Sequence, residues 1–243
     1  MKNSLKHAIS FDIEDWFHII DIENKNNINS FGDVSIVENY TIKILDLLDK
    51  HKTKATFFIL GIVAKNYPDL VSEIAKRQHE IASHSYSHKL IYRMSASEFK
   101  LDTLKSIEVL EDITNKKVEG YRAPSFSITE ECLWAFKVLR DCGVTWDASI
   151  FPQRRDNGGM DFIDNPIDLK NTKIKVDINE FPMRLFRIGK LGFCFSGGGY
   201  FRLLPRHFIK YAFDYFEKKN QPCITYLHPR DFCTNLPNHE GTC

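Results

Sequence analysis

Apolar and polar positions along the chain follow two periods that take turns. Short runs rich in β-branched and aromatic residues, "HAISFD", "KATFFIL", "EIASH", "VEGYRA", "VTWDAS", "INEFPM" and "CITYLH", read as strands. Between them, apolar residues recur at helical spacing. Val37, Tyr40, Ile44 and Leu47 form one stripe, and Leu70, Ile74 and Ala75 form another behind Pro68, which suits a first helical turn. Ser95 and Glu98 have capping-box spacing ahead of Phe99, Thr103, Leu104, Ile107 and Leu110. Ser127 and Glu130 have the same spacing and predict a further helix that Gly143 stops. Pro205 opens a last helix running through Phe216, and the stretch 151–199 is less regular.

Strands alternating with helices predict a parallel α/β sheet, open or closed into a barrel, within a single domain over 1–243. Polar residues then fall at the C-terminal ends of the strands: Asp12, His84, Arg122, Asp147 and His228. That rim is where α/β folds place their chemistry, so residues far apart in sequence are brought to one site.

Composition narrows the classes. With 243 residues and 43% hydrophobic content the chain can build a core without staples. A net charge of +1 gives no electrostatic footprint for nucleic acid. No apolar run approaches transmembrane length, and the first residues, "MKNSLKHAISFDIEDWF", lack an export-type apolar region. The six cysteines have no CxxC spacing, so they are expected as reduced thiols in a cytoplasmic protein. Nothing marks an oligomeric state.

The candidate chemistry starts at His84 and His88, four residues apart on a strand-end loop, a spacing that lets two imidazoles face one ion. A carboxylate from "SFDIEDWFH" would complete an open, catalytic type of site. Asp12, at the strand end, is the candidate base. The metal-binding neighbour is Glu14 if the strand continues, because side chains alternate, or Asp15 if the chain turns after Asp12. Zinc is the expected ion, and cobalt, nickel and iron suit the same donors. Arg122 in "GYRAPSF" is placed to pair with Asp12, and the N–H of Ser125 to face a developing oxyanion. His228 is the candidate general acid toward a leaving amine, with Asp147 to orient it. "SGGGYFRLLP" lacks phosphate-loop order and is read as a tight turn presenting Tyr200 and Phe201 to substrate.

Taken together these segments resemble the polysaccharide deacetylases of carbohydrate esterase family 4, over Ser10 to about Phe232. "SFDIEDWF" is similar to the family's first motif, "HSYSH" to H-[ST]-x-x-H, "RAPSF" to R-x-P-Y with Ser125 in place of tyrosine, and "LHP" to the final motif. "WDASIFP" and "SGGGYFRLLP" resemble a bacterial subgroup found with surface-polysaccharide synthesis. The usual adjacent Asp-Asp is replaced here by Asp-Ile-Glu-Asp. The resemblance implies a distorted (β/α) barrel of about seven parallel strands, a divalent metal, and removal of an acetyl group from an N-acetylated saccharide. The rival readings are a hydrolase of another acylated amine or ureide, and a non-catalytic saccharide-binding relative.

Overall fold

A computed structural model of the protein describes residues 7–18, 35–162, 165–189 and 191–234. The elements in chain order are β1 (Ala8–Ile13), α1 (Val37–Lys50), β2 (Thr56–Ile59), α2 (Gly61–Asn66), α3 (Pro68–Lys76), β3 (Glu80–Ser83), α4 (Ala96–Thr114), β4 (Gly120–Tyr121), α5 (Trp134–Asp141), β5 (Trp146–Asp147), β6 (Ile167–Asp168), β7 (Asn179–Glu180), β8 (Leu185–Ile188), β9 (Leu191–Cys194), α6 (Gly198–Leu203), α7 (Arg206–Lys218) and β10 (Ile224–Leu227).

The strands form one curled eight-stranded sheet in the order β10-β1-β2-β3-β4-β5-β7-β6. Seven run parallel, and β6 pairs antiparallel with β7 at one edge. This is the parallel sheet that the alternation predicts, curled into the distorted barrel that the resemblance implies, with β10 and β6 as edges. Beyond β9 the chain runs alongside β10, where Gly197 bridges Tyr226. The β8–β9 hairpin lies in the stretch that carried no clear period.

Strand alternation divides the side chains into two sets. Phe11, Ile13, Phe57, Ile59 and Tyr121 point outward and pack under the helices in the main core. Ser10, Asp12, Phe58, Ala82, Arg122 and Ala148 occupy alternate positions on the other face, inside the curl. The interior cluster is small: Phe58, Ala82 and Ala148, with Trp146 packed against them.

Most helix signals hold, with two shifts. The Ser95–Glu98 capping box forms, and Pro68 sits in the first turn of α3. In α1 the buried face is Val37, Thr41, Ile44, Leu45 and Leu48, while Leu47 is 45% exposed, so the stripe is turned by about one position from that predicted. Ser127 does not cap a helix. Its hydroxyl accepts the Ile91 N–H, Thr129 caps a short 3-10 turn instead, and α5 starts only at Trp134. Gly143, at φ +91°, ends that helix as predicted. Cys132, Cys142, Cys194, Cys223 and Cys233 are free thiols, and Cys243 lies outside the described residues. Among the described residues no helix is long and apolar enough to cross a membrane.

Candidate active site

The β1 alternation continues one step past the strand, so Ser10, Asp12 and Glu14 share the inner face. Glu14 is therefore the carboxylate that meets the histidines. Its Oε2 lies 2.5 Å from His88 Nε2 and 3.8 Å from His84 Nε2. The ligand atoms of Glu14, His84 and His88 all fall within 4.8 Å of one another.

Asp15, the other candidate, points away. Its Oδ1 accepts the N–H groups of Trp16 and Ile36, and its Oδ2 accepts the Ser35 hydroxyl. It holds the start of α1, and those bonds remove it from the ligand set.

The histidine loop is not helical. Ser85 and His88 both adopt left-handed backbone, at φ 67° and 61°. Such a conformation is disfavoured for non-glycine residues, so the surroundings must hold it. Asp102 on α4 accepts the N–H groups of Tyr86 and Ser87 and the Ser87 hydroxyl, while the Ser85 hydroxyl accepts the His88 N–H. The His84 Nδ1 hydrogen-bonds the Arg122 carbonyl at 2.8 Å, which turns Nε2 toward Glu14.

These donors fit a divalent cation. Glu14 Oε2 is buried, and the polar atoms gathered on it are the two imidazole Nε2 atoms. Burial pushes His84 down to about 4 despite the pull of Asp12 and Glu14, so its imidazole is neutral at pH 7, as a ligand must be. Burial pushes the Glu14 carboxyl up, but His88, Arg230 and His228 outweigh it and hold the group well below its ordinary range. Two histidines and one carboxylate leave coordination positions open, the pattern of a catalytic ion rather than a structural one.

Arg122 reaches the base as predicted. Its Nη1 donates to Asp12 Oδ1 at 2.7 Å and to Ser10 Oγ at 2.9 Å, and its Nε to the Ala148 carbonyl. The guanidinium is 3.9 Å from the centre of the Phe58 ring. Burial pushes Asp12 up, and Arg122 together with the nearby imidazoles reverses this, leaving its carboxyl below the ordinary value.

His228 lies across from these groups, its Nε2 3.8 Å from Asp12 Oδ2 and 3.6 Å from Glu14 Oε1. Asp147 does not orient it. The alternation that sends Trp146 and Ala148 inward turns Asp147 to the opposite face of β5, where it accepts the N–H and hydroxyl of Ser149. Asp231 does the orienting, with Oδ2 3.4 Å from His228 Nδ1 and 2.9 Å from the His228 N–H. Arg202 in turn binds Asp231. Burial pushes Asp231 up, but His228 and Arg202 bring it down to about 2.

Arg230 and Asp231 escaped the sequence reading. Pro229 opens a 3-10 turn over Pro229–Phe232 that returns both side chains to the site, so Arg230 donates to Glu14 at 2.5 Å. Two polar residues directly after a strand-end histidine and proline were the available signal.

A cavity of about 610 Å³ opens above these groups, lined in part by Ser125, Arg155, Asp156, Gly198 and Arg202. Ser125 lines it in left-handed backbone at φ 54°. Tyr200 and Phe201 do not line it: Tyr200 packs against the Phe126–Phe151 cluster and Phe201 against the main core. The reason is close approach. A Cβ on Gly197 would overlap the Tyr226 ring and one on Gly198 the Asp231 carboxylate, so the glycines let α6 settle onto the site and turn its aromatics inward.

A sequence-family profile described as polysaccharide deacetylase matches residues 23–146, and a second, a domain of unknown function (DUF3473), matches 148–242. The two matches meet at β5, inside the one eight-stranded sheet. Over 97 residues the chain is 37% identical to a peptidoglycan-N-acetylglucosamine deacetylase of Bacillus cereus, covering 40% of this chain and 35% of that protein. The alignment thus spans about a third of that curated relative's length. Among solved structures, one from Mycobacterium smegmatis, assigned to the polysaccharide deacetylases, superimposes with a TM-score of 0.69 at 19% identity, over 94% of this chain and 79% of that one. A carbohydrate esterase family 4 pseudoenzyme from Bacillus anthracis superimposes at 0.53 and 18% identity, over 93% and 56%. The fold is therefore shared with a pseudoenzyme, and the residues of the site must decide.

Proposed function

The chain belongs to the polysaccharide deacetylases of carbohydrate esterase family 4, and from that premise we propose that it is a metal-dependent hydrolase that removes the N-acetyl group from an amino sugar of a surface polysaccharide or its precursor. One observation carries the reading. Glu14, His84 and His88 converge as an open donor set, with Asp12 braced by Arg122 on one side and His228 braced by Asp231 on the other. A relative that had lost catalysis would be free to lose any of these.

A divalent ion on the three donors, with zinc the ion expected, supplies a Lewis acid for the acyl oxygen and lowers the pKa of water. The protein's own residues do the rest. Asp12, kept ionised by Arg122, takes the proton of the attacking water. The Ser125 N–H faces the acyl oxygen as it gains charge. His228 hands a proton to the amine nitrogen as the C–N bond breaks, giving acetate and a free amino sugar. Asp231 holds the ring so that its Nε2, not Nδ1, meets the substrate.

The test is acetate release by metal-reconstituted protein from N-acetylglucosamine oligomers and from peptidoglycan. The reading expects acetate and free amine in equal amounts. Release only from small acylated amines, or saccharide binding with no acetate, would overturn it.

A further inference from the structure

The far end of the same barrel holds a second cavity, of about 360 Å³, at the N-terminal ends of the strands. Alternation explains why it exists. The inward positions facing this space carry Ala8 at the start of β1 and Ala148 just beyond β5. Those residues leave the interior underfilled below Arg122. Phe58, Trp146, Phe181, Pro182 and Ile224 give the walls an apolar surface.

Arg122 is the roof. It is 1% exposed, and it separates this cavity from the one above Asp12. Its Nη1 and Nε are fully used by Asp12, Ser10 and Ala148. Its Nη2 is buried without a hydrogen-bond partner. A buried N–H donor on a cation, left unpaired, is costly, and an acceptor brought to it recovers that cost. At the mouth, Thr56 donates to Glu80 at 2.6 Å, which fixes a carboxylate where the outer end of an occupant would lie.

The geometry points to a ligand site on the underside of the barrel for a small aliphatic monocarboxylate, its carboxylate on Arg122 Nη2 and its chain along the Phe58–Ile224 walls. The chemistry is specified from both ends. The roof offers a cationic donor, the walls offer apolar surface, and Glu80 disfavours a second negative charge at the tail. The volume lies at the lower end of the range for small-molecule pockets, which suits a short chain. The inference does not rest on the reaction proposed above, although acetate is the shortest member of the class. Because Arg122 also holds Asp12, an occupant of this cavity touches the partner of the base without entering the substrate cavity.

The experiment is a titration of the full-length protein with acetate, butyrate and hexanoate, followed by ligand-observed NMR, with hexanamide, hexanol and adipate as comparators. Each added methylene should tighten binding about three- to four-fold, as burial of a CH₂ group predicts. Hexanoate should bind more tightly than hexanamide, hexanol or adipate. Ala148→Leu, which fills the cavity, should weaken hexanoate about ten-fold or more. Ala8→Trp, at an exposed position on the mouth, repeats that test without altering the packed interior. Glu80→Gln should instead tighten hexanoate about two- to five-fold by removing the charge at the mouth. Equal binding of hexanoate and hexanamide would overturn the carboxylate assignment. Binding unchanged in both Ala148→Leu and Ala8→Trp, or no binding of hexanoate at all, would overturn the site.

Discussion

Two pairs of carboxylates lie in this barrel with the same lack of solvent and opposite fates. Asp12 and Glu14, at the rim, are each 3% exposed; Asp147 and Glu180, on the seam between β5 and β7, are fully buried. Burial alone would push all four toward the neutral acid. At the rim it is outweighed by Arg122 and Arg230 and by the imidazoles, so both groups stay ionised and available for chemistry. On the seam no cation among the described residues pairs directly with either carboxylate. Burial lifts both groups, and the neighbouring Asp147 charge adds to it at Glu180, which is held well above its ordinary value. Their oxygens serve the backbone instead, holding the N–H groups of Ser149 and Ile150. The cations placed beside a buried acid, rather than its depth, separate a working carboxylate from a scaffold one.

That contrast can be broken or sharpened by substitution. The largest effect should come from the donor set: His84→Ala with His88→Ala should bring acetate release to background while far-ultraviolet circular dichroism stays unchanged. Next, Asp12→Asn should lower the rate by roughly 10²–10⁴, the usual worth of a general base, with bound metal retained. Loss of metal in that variant would make Asp12 a ligand instead.

Asp231→Asn should cost roughly 10–100-fold in kcat, the scale of losing a hydrogen-bonded outer partner. An unchanged kcat in Asp231→Asn would leave Asp231 a packing residue.

The smallest effect concerns the seam. A carboxyl whose folded pKa is raised contributes stability that is complete below its unfolded pKa and is lost as pH rises toward the folded one. The wild-type melting temperature should therefore fall as pH rises above the ordinary carboxylate range, and Glu180→Gln should flatten that fall. A steeper fall in the variant would mean that Glu180 is ionised in the native state.

Much of this site was legible in the sequence because strand ends are marked by polar residues after apolar runs. The Asp12–Arg122 pair and the His84–His88 spacing follow from that rule, whereas Glu14 and Asp15 stay open until β1 is seen to run on by one residue. The orienting acid was not legible. Asp147 occupies a strand end as Asp12 does, but the period of two places it on the other face, and Asp231 returns only through a turn whose direction Pro229 sets. Tyr200 and Phe201 were misplaced because the glycines before them govern how closely α6 approaches Tyr226 and Asp231. The underside cavity depends on Ala8 of β1 and Ala148 after β5 facing one lumen, which no local pattern announces.

The central claim is that Glu14, not its neighbour Asp15, completes a metal site with His84 and His88. Metal content measured by plasma mass spectrometry on Glu14→Gln and Asp15→Asn, purified side by side with the wild type, tests it most directly. A full complement of divalent ion is expected in the wild type and in Asp15→Asn, and its loss in Glu14→Gln. Metal retained in Glu14→Gln and lost in Asp15→Asn would contradict it.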